Sequence, residues 1–162
     1  MMAPPEILYH FTSKHAARDI ARDKFIRAHA PLPPRWADRR EALPDVVFLT
    51  ADQARSPQRW AGAPSTGVRG LGYLDRAAVR LTVRLDPRLG IAPRAFRSWA
   101  LDHNVPLAWI DEFRRGGSTD GWYVLERDVL APEWVEVAIW NGLAYVPALT
   151  RTSPRPRRGG VA

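Results

Sequence analysis

The chain has 162 residues, 46% of them apolar and seven of them Trp. That suffices for one core in one domain, and it argues against both a second domain and a disordered polymer. The absence of Cys excludes a disulfide framework, a thiol nucleophile and a cysteine-bound zinc. The net charge of +7 is uneven: Arg151, Arg155, Arg157 and Arg158 carry four charges with no acid after residue 150, which leaves +3 on residues 1–150. Arg outnumbers Lys by 22 to 2, so the basic excess reflects codon composition at least as much as phosphate binding. The tail would add sequence-independent attraction to a polyanion.

In chain order, Met1 to Pro5 reads as a loose leader and residues 6–12 as a short buried strand. Ser13 is a natural N-cap for a helix from Lys14 to about Lys24, with Ala16, Ala17, Ile20 and Ala21 on one face and Lys14, Arg18 and Arg22 on another. Ala30 to Arg40 is proline-rich and extended. Asp45 to Thr50 is the clearest interior strand, and Asp52 is placed to cap a short helix reaching Trp60. Residues 62–72 form a glycine-rich loop, and Ala78 to Leu85 alternate as a half-exposed strand.

Pro93 suits a first helical position, ahead of an apolar stripe at Phe96, Trp99, Ala100 and His103. A second helix runs from Pro106 to about Phe113, a turn-rich loop fills 116–121, and strands follow at Trp122 to Leu125 and Glu133 to Trp140. Asn141-Gly142, between Ile139-Trp140 and Leu143-Ala144, predicts a two-residue type I′ hairpin. Residues 151–162 are expected to be a disordered basic tail on a single domain of residues 1–150. Helices early and mid-chain with a strand-rich C-terminal third predict an α+β fold. No secretory leader and no stretch near 18 apolar residues is readable, so a cytoplasmic protein without membrane contact is expected.

For chemistry, the sequence has no Gly-rich phosphate loop, no His pair at metal-ligand spacing and no Gly-x-Ser-x-Gly elbow. Of four His, His103 lies on the apolar stripe of a helix, where packing explains it. His10 stands at a strand end beside aromatic and hydroxyl neighbours. The residues alone leave open whether it binds a ligand or is a satisfied structural histidine. Arg69, Arg80 and Arg84 could contact phosphate bidentately, with solvated arginines the plainer alternative.

Leu8-Tyr9-His10-Phe11-Thr12-Ser13, the following Ile-containing helix, the pair Phe25-Ile26 and then Val47-Phe48-Leu49-Thr50 resemble the N-terminal half of the ADP-ribosyltransferase-like fold. The nearest flavour is the compact bacterial His-Tyr-acidic group, which includes toxins and DNA-targeting enzymes. The resemblance implies a split antiparallel sheet core with flanking helices, and NAD as co-substrate. His10 would hold the nicotinamide-side ribose and carboxamide, and Thr12 would lie near the adenosine ribose. Phe48 would stack on the nicotinamide ring, with Phe11, Thr50 and Arg80 completing the cofactor-binding set.

Breaking the nicotinamide glycosidic bond builds positive charge on the sugar, so a carboxylate near that carbon is required. Glu126 and Asp120 rank level for this role beside His10, with Glu112 behind them. The resemblance further implies a macromolecular acceptor, nucleic acid being one option, and an antitoxin or immunity protein as a partner. Three features depart from the family pattern: Lys24 stands where a helix-ending Gly is usual, Phe48 keeps the stacking ring without a hydroxyl, and Trp122 falls roughly where the family's late-strand acidic residue is expected. The alternative from another class is a non-catalytic nucleic-acid- or protein-binding module. A Trp-lined groove at Trp36, Trp60 and Trp109 is a third reading, resting on the Trp count alone.

Overall fold

The computed structural model describes residues 3–31, 43–54, 75–114 and 118–150. The proline-rich loop beyond residue 31, the helix expected to reach Trp60, the glycine-rich loop with Arg69, and the basic tail lie outside the described residues. The described chain is α+β. Nine strands run in order: β1 (Ile7–Thr12), β2 (Phe25–Ile26), β3 (Val47–Thr50), β4 (Val79–Arg84), β5 (Arg94–Ala95), β6 (Trp122–Leu125), β7 (Val129–Leu130), β8 (Trp134–Trp140) and β9 (Tyr145–Thr150). Three helices accompany them: α1 (Lys14–Asp23), α2 (Phe96–Asp102) and α3 (Leu107–Arg114).

Seven strands form one sheet in the order β5-β6-β3-β1-β4-β8-β9, with every pairing antiparallel. β2 and β7 form a separate short ladder. The large sheet is two ladders joined at one rung. β1 matches β4 along its whole length, from Ile7 opposite Arg84 to Thr12 opposite Val79, and β3 matches β6 from Val47 opposite Leu125 to Thr50 opposite Trp122. Between β1 and β3 only Tyr9 and Thr50 are in register, so the two strands part immediately beyond that pair.

Strand alternation builds one core on each face. Leu8, Val47, Leu49, Val79, Leu81, Val83 and Leu125 are buried on the first face, where Ala17 and Ile20 of α1 pack against them. Val46, Phe48, Trp122 and Val124 face the second core, which α2 and α3 close with Phe96, Trp99, Ala100 and Trp109. Phe48 lies within an aromatic cluster, its ring centroid 5.2 Å from Phe113, 6.1 Å from Phe96 and 6.4 Å from Trp109.

Ser13 caps α1 as its position predicts, its hydroxyl accepting from the Ala16 N–H at 3.1 Å. α1 ends at Lys24 in the left-handed conformation (φ 67°), its N–H bonded to the Ile20 carbonyl. The αL stop of the helix is therefore kept with a lysine in place of glycine. Pro93 does not start a helix. Arg94 and Ala95 pair with Val124 and Tyr123, and α2 begins at Phe96. The stripe of Phe96, Trp99 and Ala100 dictates the buried face, while the open edge of β6 draws the two preceding residues into the sheet.

The 141–144 connection is also corrected: the hairpin exists, but its loop has four residues and includes Leu143 and Ala144. The Asn141 carboxamide oxygen accepts from the Leu143 and Ala144 N–H groups, both at 2.9 Å. That side-chain bond mimics a backbone turn and leaves only Gly142 with positive φ (103°).

Glu133 is the main polar node of the core, 4% exposed. Its carboxylate accepts from the Asp86 N–H at 2.7 Å, the Leu130 N–H at 2.9 Å and both terminal nitrogens of Arg127 at 2.7 and 2.9 Å. It thereby ties the end of β4 to β7. Burial pushes this carboxyl up, and the Arg127 fork with the two backbone donors outweighs it, leaving the group below its ordinary 4.5.

Two stability outcomes follow. Glu133→Ala should cost about 3–5 kcal/mol in denaturant unfolding, because it strands the Arg127 guanidinium and two backbone donors inside the core. Lys24→Gly should raise stability by up to about 1 kcal/mol, because glycine adopts φ 67° without the Cβ penalty.

Candidate functional site

The site follows from what happens to the edge of β3 once β1 leaves it. Three consecutive rungs on that edge have different partners. Thr50 pairs with Tyr9 of β1. The Phe48 carbonyl accepts at 2.9 Å from Nδ1 of the His10 side chain. Val46 exchanges two backbone bonds with His29, at 2.9 and 3.1 Å. The His10 imidazole thus fills the place of a missing backbone donor, and residues 27–29 take over the position that β1 vacates.

This bond settles the chemistry of the ring. A carbonyl only accepts, so Nδ1 carries the proton, and in the neutral ring Nε2 is a free acceptor with no partner among the described residues. Burial lowers the His10 pKa below its ordinary 6.5. The Phe48 carbonyl partly opposes that shift, and the nearby His29 adds to it. A half-buried, neutral imidazole with a fixed tautomer and an open lone pair can accept a hydrogen bond from a hydroxyl or amide, or take a proton from a substrate.

The remaining expected residues divide into those near His10 and those held elsewhere. Phe48 supplies the carbonyl, while its half-buried ring lies in the α2–α3 aromatic cluster. Thr12 is the last residue of β1, one turn of alternation beyond His10 and opposite Val79. Thr50 is buried, and its hydroxyl accepts from the Asp52 N–H at 3.1 Å. Phe11 is buried against Tyr145, with ring centroids 5.8 Å apart.

Arg80 is committed to structure. It donates to the Gln53 carbonyl at 2.9 Å and to Glu136 at 3.3 Å, and its guanidinium carbon lies 4.6 Å from the Tyr145 ring centroid and 5.5 Å from that of Tyr9. Arg84 pairs with Glu6 on the surface.

Glu126 is likewise occupied: it accepts from the Trp99 indole N–H at 2.9 Å and lies 3.6 Å from His103 Nε2. It anchors α2 to the end of β6, and His103 packs on Trp99 as the helical stripe predicts. Asp120 is exposed at the other end of β6, beside Gly121, whose carbonyl accepts from the Ala51 N–H at 2.8 Å. Its carboxylate has no partner among the described residues. With strands about 4.8 Å apart, Asp120 lies about two strand spacings from β1 and two residues beyond the Thr50–Trp122 rung, on the side away from the Phe48 carbonyl, so it is not brought beside His10. Glu112 is exposed on α3.

Sequence reasoning passed over His29 and Glu136. Nothing in the local pattern around residue 29 shows that it will bridge Val46, and Glu136 reads only as the polar side of an alternating strand. Among the described residues no group of three or more His, Asp or Glu could hold a metal ion, and no helix is long and apolar enough to cross a membrane. No family model, no curated protein and no solved structure matches the chain.

The lowered His10 pKa makes the unfolded chain the stronger proton binder between the folded-state value and 6.5. The His10 contribution to stability is therefore complete above 6.5 and is lost as pH falls toward the folded-state value. His10→Asn keeps a donor for the Phe48 carbonyl and removes the titration. Urea unfolding from pH 7.5 down to 5 should show a shallower acid-side loss in this variant than in the wild type.

Proposed function

We propose that the chain is an NAD-dependent mono-ADP-ribosyltransferase-like enzyme that transfers ADP-ribose to a macromolecular acceptor. The observation that carries this reading is His10 at the parting of β1 and β3, neutral and locked by the Phe48 carbonyl with Nε2 free. The motif Tyr9-His10-Phe11-Thr12, paired through Tyr9 with the end of Val47-Phe48-Leu49-Thr50, supports it as well. The two segments behind the family resemblance are 35 or more residues apart in sequence and adjacent in space.

In this reading His10 Nε2 accepts from a hydroxyl of the nicotinamide-side ribose and orients the sugar. Thr12 lies further along β1, toward the adenosine end. Phe48 supports the nicotinamide side through its carbonyl and the adjoining aromatic wall. Departure of nicotinamide with the electron pair of the glycosidic bond leaves positive charge on the sugar carbon. Asp120, unpaired where Glu126 is bound by Trp99 and His103, is the carboxylate left to stabilise it, and it would have to approach the sugar from beyond the Thr50 rung. The acceptor then gives up a proton as it attacks that carbon. The basic tail, with four arginines and no acid after residue 150, makes a nucleic-acid acceptor the first to try.

Labelled NAD incubated with the full chain and DNA, RNA or cell protein tests the reading by nicotinamide release and label transfer. His10→Asn should weaken NAD binding by about tenfold, the value of one lost hydrogen bond. Asp120→Asn should leave binding intact and slow release by about a hundredfold. NAD binding with no release by the wild type would favour a non-catalytic binding module on the same fold. No NAD binding at all would remove the reading.

A further inference from the structure

Residues 137–150, which end β8, turn the hairpin and form β9, contain no Asp, Glu, Lys, Arg or His. It is the longest such run in a chain of which 25% is charged. Its apolar side chains continue a row that starts in the first core. Val79 of β4 pairs with Ile139 of β8, and Ile139 pairs with Val146 of β9. Exposure climbs along that row from 3% at Val79 to 38% at Ile139 and 47% at Val146. The first core takes only Trp134 and Val137 from β8 and nothing from β9. Leu143, in the hairpin loop, is 89% exposed, more than any other large apolar side chain among the described residues.

The backbone at this edge is closed to a further strand. The Trp140 N–H donates to the Ala78 carbonyl at 2.8 Å, so Trp140 directs its backbone bond toward β4 and Ile139 directs its own toward β9. Val146 therefore bonds Ile139, and Pro147, the next residue, turns its backbone outward. With no N–H to offer, Pro147 interrupts the ladder of any strand added beside β9. A partner is left with the face of the hairpin.

A strongly charged partner would find no counter-ion on that face. A second copy of the chain needs none. A two-fold interface brings the same patch of both copies together, and an uncharged apolar patch is complementary to itself. Elsewhere two chains of net charge +7 meet with like charges opposed. The other leucines of high exposure, Leu101 on α2 and Leu107 on α3, share their helices with exposed Arg97, Asp102 and Asp111, which such a contact would desolvate.

We propose that the 137–150 hairpin is a homodimer face, on which Leu143 of one copy seats against the Ile139–Val146 pair of the other, and reciprocally. Three side chains from each copy cover far less than the roughly 800 Å² per partner of a standard interface, so the dimer is weak, with a dissociation constant of about 100 µM. β4 and β8 stand between β9 and β1, so the contact does not involve His10 and is independent of the nucleotide-binding reading.

Sedimentation equilibrium of the full chain from about 5 to 500 µM, at about 0.15 and 0.5 M NaCl, tests this. The wild type should pass from monomer to dimer across that range. Higher salt should tighten the dimer, because it screens the repulsion between two positive chains while the contact itself holds no ion pair. Leu143→Asp should weaken association at least about tenfold by setting two like charges in one interface. Its urea midpoint should match the wild type, since the side chain is on the surface, and Leu143→Met should keep the dimer. Leu107→Asp on α3 should associate as the wild type does. A wild type that stays monomeric at the highest concentration, a dimer that weakens in higher salt, or one that Leu143→Asp leaves intact overturns the proposal. Growth beyond a dimer overturns it as well, because a two-fold contact closes on itself.

Discussion

The single rung between Tyr9 and Thr50 is the constraint on which the rest of the molecule turns. Had β1 and β3 stayed in register for four or five residues, the seven strands would form a continuous sheet with no gap. Instead β1 commits its full length to β4, and β3 commits its full length to β6. An unpaired backbone carbonyl in a partly buried gap costs free energy comparable to a lost hydrogen bond. His10 and His29 supply the missing donors by different means, one with a side chain and one with backbone. The same satisfaction that closes the ladder fixes the tautomer of the His10 imidazole.

The two cores make that parting tolerable. On one face Ala17 and Ile20 of α1 pack against the first core, and on the other the rings of Phe96, Trp99, Trp109 and Phe113 gather around Phe48. The first core takes Leu8, Val79, Leu81 and Val83 from one ladder and Val47, Leu49 and Leu125 from the other, so apolar packing holds the two together where the seam has one rung. Glu133 does the corresponding polar work at the periphery, satisfying two backbone donors and an arginine at once so that β7 and the end of β4 stay together. Because β7 in turn pairs with β2, this node also sets the position of the segment that carries Arg27 and His29.

Local patterns were readable where a residue answers to its immediate neighbours. The Ser13 cap, the reach of α1, the alternation of β4 and the buried stripe of α2 all follow from short-range sterics and amphipathic spacing. Patterns failed where a distant strand edge or a side-chain bond competed with local preference. Arg94 and Ala95 join β6 instead of continuing a helix from Pro93, and the Asn141 side chain replaces the type I′ turn with a four-residue loop. The carboxylates show the same limit. Glu126 and Asp120 looked equivalent as acids flanking one strand, and only the positions of Trp99 and His103 distinguish them.

The amino-acid sequence by itself determined the α+β class, the elements around the first and third strands, and His10 as the residue to watch, because periodicity and capping act over a few residues. Only the tertiary structure decided that β1 leaves β3 after one pair, that His10 donates Nδ1–H to the Phe48 carbonyl while burial disfavours its charged form, and that residue 29 bridges the next rung of β3. Those outcomes depend on which strand edges are left unsatisfied once the two ladders have formed. That accounting of backbone donors and acceptors runs across segments far apart in the chain, and no local window contains it.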